Sequence, residues 1–138
     1  MKPLVLASAF LLSVSVLAAD VKTNFMDHSN DALIDEATAK AVMRDAIPAR
    51  VWKIYPASRY IFVRPVEGGV NASRTCVVAA RVMVPPLTAT VGAVLFRPQK
   101  TATSYDAKAD SSSEQCRAMA RDKLKEATQA VVSSIVKT

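Results

Sequence analysis

The stretch that decides the fold is TCVVAARVMV, residues Thr75 to Val84, the most apolar run after the first twenty residues. Successive side chains of an extended chain point to opposite faces. One face therefore carries Cys76, Val78, Ala80, Val82 and Val84, and the other carries Val77, Ala79 and Met83, interrupted by Arg81. A strand that is apolar on both faces is typical of the middle of a sheet. The strand ends at Pro85-Pro86, because proline cannot donate a hydrogen bond to a strand ladder.

Further strands are predicted on both sides of this central strand. Arg59 to Val66 is rich in β-branched and aromatic residues, which favours an extended segment. Gly68-Gly69 then predicts a hairpin turn, because glycine adopts positive φ readily. Beyond the prolines, Thr90 to Arg97 predicts another strand, and Lys100 to Tyr105 predicts a short edge strand.

Helices are predicted at both ends of the strand region. Ser29 or Asn30 is the expected cap of the first, which should end near Ile47 because Pro48 disrupts a helix. Arg50 to Tyr55 then forms either a helical turn or a short strand. Ser111 and Glu114 match a capping box for the last helix. Its apolar stripe steps by three and four residues through Cys116, Ala120, Leu124, Ala127, Val131 and Ile135.

The order of elements is therefore α-β-β-β(-β)-α, which predicts an α+β fold. We expect a two-layer sandwich in which the N- and C-terminal helices pack on one face of an antiparallel sheet of three or four strands. One domain should span residues 29–138, preceded by an N-terminal arm at residues 20–28.

The first nineteen residues have the layout of a secretory signal peptide. Lys2 precedes the uncharged run from Leu4 to Leu17, and small residues follow, so cleavage is expected after Ala18 or Ala19. The run is shorter than the roughly 20 residues that a membrane span needs. We therefore expect a periplasmic or secreted protein with no transmembrane segment once the leader is removed.

Two cysteines fit that location. Cys76 lies on the helix-facing side of the central strand, and Cys116 lies in the first turn of the last helix on its apolar stripe. A disulfide between them would tie helix to sheet and stabilise the domain by roughly 4 kcal/mol. The alternative, a redox pair, more often has Cys-x-x-Cys spacing.

The charge balance is basic. The chain has 18 Lys and Arg against 12 Asp and Glu, and removal of Lys2 with the leader leaves 17 against 12, a net charge of +5. A net charge of about 2–8 is ordinary for a small soluble domain. The alternative is an anionic partner. We expect no nucleic acid partner, since no nucleic-acid motif is present.

No pattern of catalytic residues is recognisable, and we expect no catalytic site, no cofactor and no metal site. His28 is the sole histidine. Asp27, Asp31 and Asp35 near it could form a cation site, but acidic residues at a helix start are the simpler interpretation. A hydrolase that uses dispersed carboxylates such as Asp27, Glu67 and Asp106 remains as a lesser alternative.

Two groups of residues are candidates for an interaction surface. The densest aromatic and basic neighbourhood comprises Arg50, Trp52, Lys53, Tyr55, Arg59 and Tyr60. Such residues are enriched in binding hot spots, although a core position is favoured for Trp52. The second group is the row Arg117, Arg121 and Lys125 on the last helix, for which a solvated face is the simpler interpretation.

These observations favour a non-enzymatic exported domain that binds another macromolecule, as an inhibitor, an immunity-type protein or an envelope accessory protein does. The expected partner is another protein. The alternative is a binder of anionic envelope lipid or glycan through the basic surface. High salt should weaken the second mode steeply, whereas a hydrophobic protein interface should persist.

Overall fold

The structure, a computed structural model, describes residues 21–87 and 98–136. Within these ranges the chain forms β1 (Phe25–Asp27), α1 (Glu36–Ala46), α2 (Val51–Ile54), β2 (Phe62–Arg64), β3 (Val66–Val70), β4 (Cys76–Met83), β5 (Thr101–Lys108) and α3 (Ser113–Ile135). The predicted strand Thr90 to Arg97 and the predicted signal peptide lie outside the described residues.

The central strand is β4, as its sequence predicts. Along its whole length it pairs antiparallel with β5, from Cys76 opposite Lys108 to Met83 opposite Thr101. Its other edge pairs antiparallel with both β2 and β3, which follow each other across Pro65. Cys76, Val78, Ala80 and Val82 are fully buried, so the predicted division of β4 into two faces is confirmed.

Both long helices lie on this buried face, which confirms the α+β class. Helix α3 packs on β3, β4 and β5, and α1 packs against α3 and β1. Between the layers lies a core with Met43, Phe62, Val78 and Leu124 among its members. Within the described ranges, no helix is long and apolar enough to cross a membrane.

The sheet differs from the expectation in strand number and in one strand direction. The described residues contribute five strands rather than three or four, and β1 pairs parallel with β2, with Phe25 opposite Phe62. Strand β1 lies inside the segment predicted to be an arm. Its three residues are too few to show an alternating pattern, and contacts distant in sequence hold it in the sheet.

The turn predicted at Gly68-Gly69 lies elsewhere. Both glycines are within β3, at φ values of +128° and +148°. The chain reverses at Asn71 to Thr75, where the Asn71 side-chain oxygen accepts hydrogen bonds from the backbone N–H groups of Ser73 and Thr75. Asparagine commonly closes a turn through its own side chain, and this local chemistry decides the position of the reversal.

The long helices begin later than predicted. Asn30 accepts backbone hydrogen bonds from Leu33 and Ile34 in a separate turn, and the N-cap of α1 is Asp35. The C-cap is Ile47, as Pro48 predicts. Ser112 and Gln115 form the capping box of α3, one residue after the predicted one. Ser111 is instead buried and donates to the Lys108 carbonyl.

The structure also answers two questions that the sequence leaves open, one about the segment after α1 and one about the edge strand. The segment Arg50 to Tyr55 is a helical turn, since α2 spans Val51–Ile54. The predicted edge strand Lys100 to Tyr105 exists and is longer, spanning Thr101–Lys108.

The predicted disulfide joins Cys76 to Cys116, with a Cα–Cα distance of 5.5 Å. It connects the central strand to the first turn of α3. Both cysteines are in the core, with at most 1% of their surface exposed. Disulfides persist in oxidising compartments, so the bond indicates an extracellular or periplasmic location.

Candidate interaction surface

The candidate site lies at the end of the molecule where α1 turns into α2. Pro48 ends α1, and its carbonyl accepts the backbone N–H of Val51, which starts the short second helix at once. This sharp connection exposes Arg44 at the end of α1, together with Arg50 and Lys53 on α2. Lys22 from the N-terminal segment and Arg59 complete a group of exposed basic side chains. We call the surface formed by Lys22, Arg44, Arg50, Lys53 and Arg59 the basic corner.

A groove of about 480 Å³ opens beside two of these side chains, Lys22 and Arg44. Its walls are the N-terminal segment on one side and the α1–α2 connection on the other. The lining residues are Val21, Lys22, Thr23, Arg44, Ile47, Ala49 and Trp52. The groove is therefore apolar at its base and basic at its rim.

The N-terminal wall of the groove is fixed by hydrogen bonds rather than free. The side-chain amide of Asn24 donates to the carbonyl of Ala57 at 3.2 Å and to that of Tyr60 at 3.4 Å. The carbonyl of Asn24 accepts the backbone N–H of Phe62 at 3.0 Å. These bonds place Lys22 next to residues more than twenty positions away in sequence.

The charges of the basic corner are not compensated within the described residues. The ion pairs of residues 21–87 and 98–136 join Arg64 to Asp27 and Lys123 to Asp106 and Glu126, and none involves the corner. The sequence contains no acidic residue between Asp45 and Glu67. The five basic side chains of the corner therefore carry positive charge that an anionic partner would neutralise.

Exposed apolar side chains are adjacent in the chain to basic residues of the corner, Val21 to Lys22 and Ile54 to Lys53. Val21 is 47% exposed and Ile54 is 53% exposed, and both belong to the few large apolar residues with such exposure in the described ranges. Nearby, the half-buried rings of Tyr55 and Tyr60 form an edge-to-face pair with centroids 4.8 Å apart. The corner thus combines charge with accessible apolar surface.

Trp52 does not belong to the exposed surface. It is only 7% exposed, and its ring lies 5.6 Å from that of Phe25 and 5.0 Å from that of Phe62. It forms the base of the groove from within the core. The core position that the sequence favours for Trp52 is the one it occupies.

The second candidate group, Arg117, Arg121 and Lys125, is exposed along α3. Glu114 and Asp122 lie among these side chains on the same helix. Opposite charges that alternate on a helix are typical of a solvated face. The structure does not bring this row into the lining of the groove.

Arg64 is a positioning residue that the sequence pattern did not single out. It is 1% exposed, and its Nη2 lies 3.4 Å from Oδ2 of Asp27 on β1. It also donates to the Glu36 carbonyl at 3.4 Å and lies over the Phe25 ring. Burial lowers the pKa of Arg64, and the negative charge of Asp27 opposes this shift. Arg64 thus ties β1, and with it the groove wall, to β2 and α1.

A second groove, of about 400 Å³, lies between β5 and α3 and is lined by Asp106, Asp122, Lys123 and Glu126 among others. The Ser104 hydroxyl donates to Glu126 at 2.6 Å, and this bond and that from Lys123 lower the pKa of Glu126. Hydrogen bonding to Glu126 raises the pKa of Lys123. These groups satisfy one another, and within the described ranges no group of three or more His, Cys, Asp or Glu could hold a metal ion.

The outer face of the sheet carries the other exposed apolar residues. Tyr105 is 79% exposed and Val77 is 46% exposed. Across this face, Arg81 donates to the Thr103 hydroxyl at 3.3 Å. The outer face lacks the concentration of basic side chains found at the basic corner. The alternation of side chains along β4 is enough to predict which residues lie on this face.

No family model and no curated protein matches the sequence. Among solved structures, a PelC dodecamer from Paraburkholderia phytofirmans is similar at a TM-score of 0.45 and 13% identity, covering 83% of this chain and 89% of that one. A single-residue variant of the same dodecamer gives 0.43 and 9%, covering 80% and 89%. A predicted lipoprotein from Caulobacter crescentus gives 0.39 and 16%, covering 82% and 83%.

Proposed function

We propose that the protein is an exported accessory domain of the cell envelope, and that it acts by binding an acidic macromolecular surface at the basic corner rather than by catalysis. The observation that carries this proposal is the group of exposed basic side chains that have no ion-pair partner in the described ranges. The predicted signal peptide and the disulfide support the location.

Charge complementarity is the physical basis of the proposal. Unpaired arginine and lysine side chains on one surface attract an anionic partner and accelerate its association. Arginine is also enriched at interfaces because its guanidinium group forms paired hydrogen bonds to carboxylates and phosphates. Arg44 and Arg50 are both placed to do this, one on each side of the α1–α2 connection.

The chain offers a matched pair of variants to test the proposal. R44E/R50E/K53E reverses three charges of the basic corner, and R117E/R121E/K125E reverses three charges of the α3 row. Each replaces two arginines and one lysine, so both variants have the same net charge. None of the six residues forms an ion pair within the described ranges.

The measurement is the fraction of purified, oxidised protein that sediments with isolated cell envelope. The wild type and the α3 variant should sediment, and the corner variant should lose at least about 90% of its binding, since reversal of three interfacial charges costs more than a factor of ten. If both variants lose envelope binding equally, net charge rather than the basic corner determines binding, and the proposal is wrong. If neither variant loses binding, the proposal is also wrong. Melting curves of all three proteins control for folding.

A further inference from the structure

We infer that the basic corner docks on the surface of a bilayer that contains anionic lipids, with Val21 and Ile54 inserted among the headgroups. This inference rests on the proposed function and names the partner of the same surface. The basic side chains would recognise the phosphate of an anionic lipid headgroup. The two apolar side chains would contact the apolar boundary of the bilayer beneath the headgroups.

The mixture of side chains supports a bilayer. Peripheral membrane binding increases with buried apolar area and with electrostatic attraction to anionic lipids, so a bilayer surface requires basic and apolar groups side by side. Val21 lines the groove beside Lys22 and Arg44, and Ile54 follows Lys53 on α2. Their exposed fractions, 47% and 53%, leave about half of each side chain available for insertion.

Aromatic residues at the same corner have the character of interfacial residues. Tyrosine is enriched where a membrane meets water, because its ring is apolar and its hydroxyl is polar. Tyr55 and Tyr60 are half-buried and packed edge to face, so their rings are already ordered. Ordering in advance reduces the entropy lost on binding.

Opposing charges at this face are few. Asp45, next to Arg44 on α1, is the nearest acidic residue in sequence, and none follows until Glu67. Each lysine or arginine near an anionic surface strengthens binding by a factor of about five. Three such residues therefore account for about a hundredfold in affinity, which is enough to measure by vesicle sedimentation.

The test uses the protein exported with its own leader and purified in its oxidised form. It is mixed with vesicles of phosphatidylcholine alone or of phosphatidylcholine with phosphatidylglycerol, and the bound fraction is measured against lipid and salt concentration. We expect binding only to the mixed vesicles and a steep loss of binding at high salt. R44E/R50E/K53E should bind at least about a hundredfold more weakly, and R117E/R121E/K125E should bind as the wild type does.

A second variant tests insertion separately from charge. Ile54→Ser leaves every charge in place and should weaken vesicle binding by about tenfold, because it removes a large apolar side chain from the interface. Binding by Ile54→Ser equal to that of the wild type would overturn the insertion of this residue. Binding to phosphatidylcholine alone, or equal loss in both charge variants, would overturn the recognition of headgroup phosphate by the corner.

The outcomes separate this inference from the proposed function. If the mixed vesicles do not bind at low salt, while sedimentation with cell envelope still depends on the corner charges, the partner is an acidic protein or glycan and the lipid inference is wrong. If neither vesicles nor envelope respond to the corner charges, both proposals are wrong.

Discussion

Removal of the Cys76–Cys116 disulfide should destabilise the domain without changing its fold. The bond closes a loop of 40 residues, and the chain-entropy model gives a stabilisation of about 4 kcal/mol for that length. Domains of this size have a free energy of unfolding of about 5–15 kcal/mol. The loss is therefore a large fraction of the total and corresponds to a decrease in melting temperature of about 15 °C.

The reduced wild-type protein is the best comparison, because it keeps both sulfur atoms and loses only the cross-link. The variant C76A/C116A additionally loses the packing of two buried side chains, so it should be less stable than the reduced wild type. Trp52 is buried and is the only tryptophan, so its fluorescence reports unfolding in urea. The urea dependence should also steepen, since an uncross-linked unfolded chain exposes more surface.

A small effect would refute this reasoning. If the oxidised and reduced proteins differ by less than about 1 kcal/mol, the cross-link does not restrict the unfolded chain as the entropy model requires. If the reduced protein has lost the helical signal of α3 under native conditions, the bond is required for the structure itself and not only for its stability.

Four further substitutions test particular contacts by urea unfolding. Gly68→Ala should destabilise the protein by about 1–3 kcal/mol, because the φ of Gly68 is positive and the added Cβ would overlap a carbonyl oxygen of β4. Gly69→Ala should cost less, because a Cβ at this position has no atom within 4 Å. Equal losses at the two glycines would contradict this. Arg64→Leu leaves the mostly buried carboxylate of Asp27, whose side chain is 10% exposed, without its cation and should cost about 3–5 kcal/mol; a neutral result would show that the ion pair is dispensable. Hydrogen bonds from Thr38 lower the pKa of Asp35. The Asp35 carboxylate therefore contributes its full stabilisation at pH values above its ordinary pKa of 3.8. This stabilisation is lost as the pH falls through the lowered pKa of the folded protein. The difference in stability between wild type and Asp35→Ala should therefore shrink below pH 3.8, and a difference that is constant with pH would contradict the cause.

The sequence predicts those parts of the fold that depend on local periodicity. The two faces of β4 follow from alternation, and the position of Cys116 follows from helical spacing, so the disulfide could be predicted from strand and helix phase together. Strand β1 could not be predicted, because three residues carry no periodic pattern and its partner Phe62 is far away in the chain.

The sequence brings only part of the basic corner together, for the same reason. Arg50, Lys53 and Arg59 lie close together in sequence and formed a recognisable group. Lys22 and Arg44 joined them only in the folded chain, where hydrogen bonds of Asn24 bring the N-terminal segment to the corner. A tertiary contact of this kind leaves no local pattern. The burial of Arg64 also cannot be predicted from the residues around it in sequence, because its partner Asp27 lies on β1.

The most direct test of the basic corner as the binding face is photo-crosslinking in living cells. A photo-reactive phenylalanine analogue replaces either Ile54 at the corner or Tyr105 on the outer sheet face, both of which are well exposed, at 53% and 79%. Crosslinks to an envelope lipid or protein should form at position 54 and be absent at position 105. Crosslinks at position 105 with none at position 54 would place the binding face on the sheet and contradict the account.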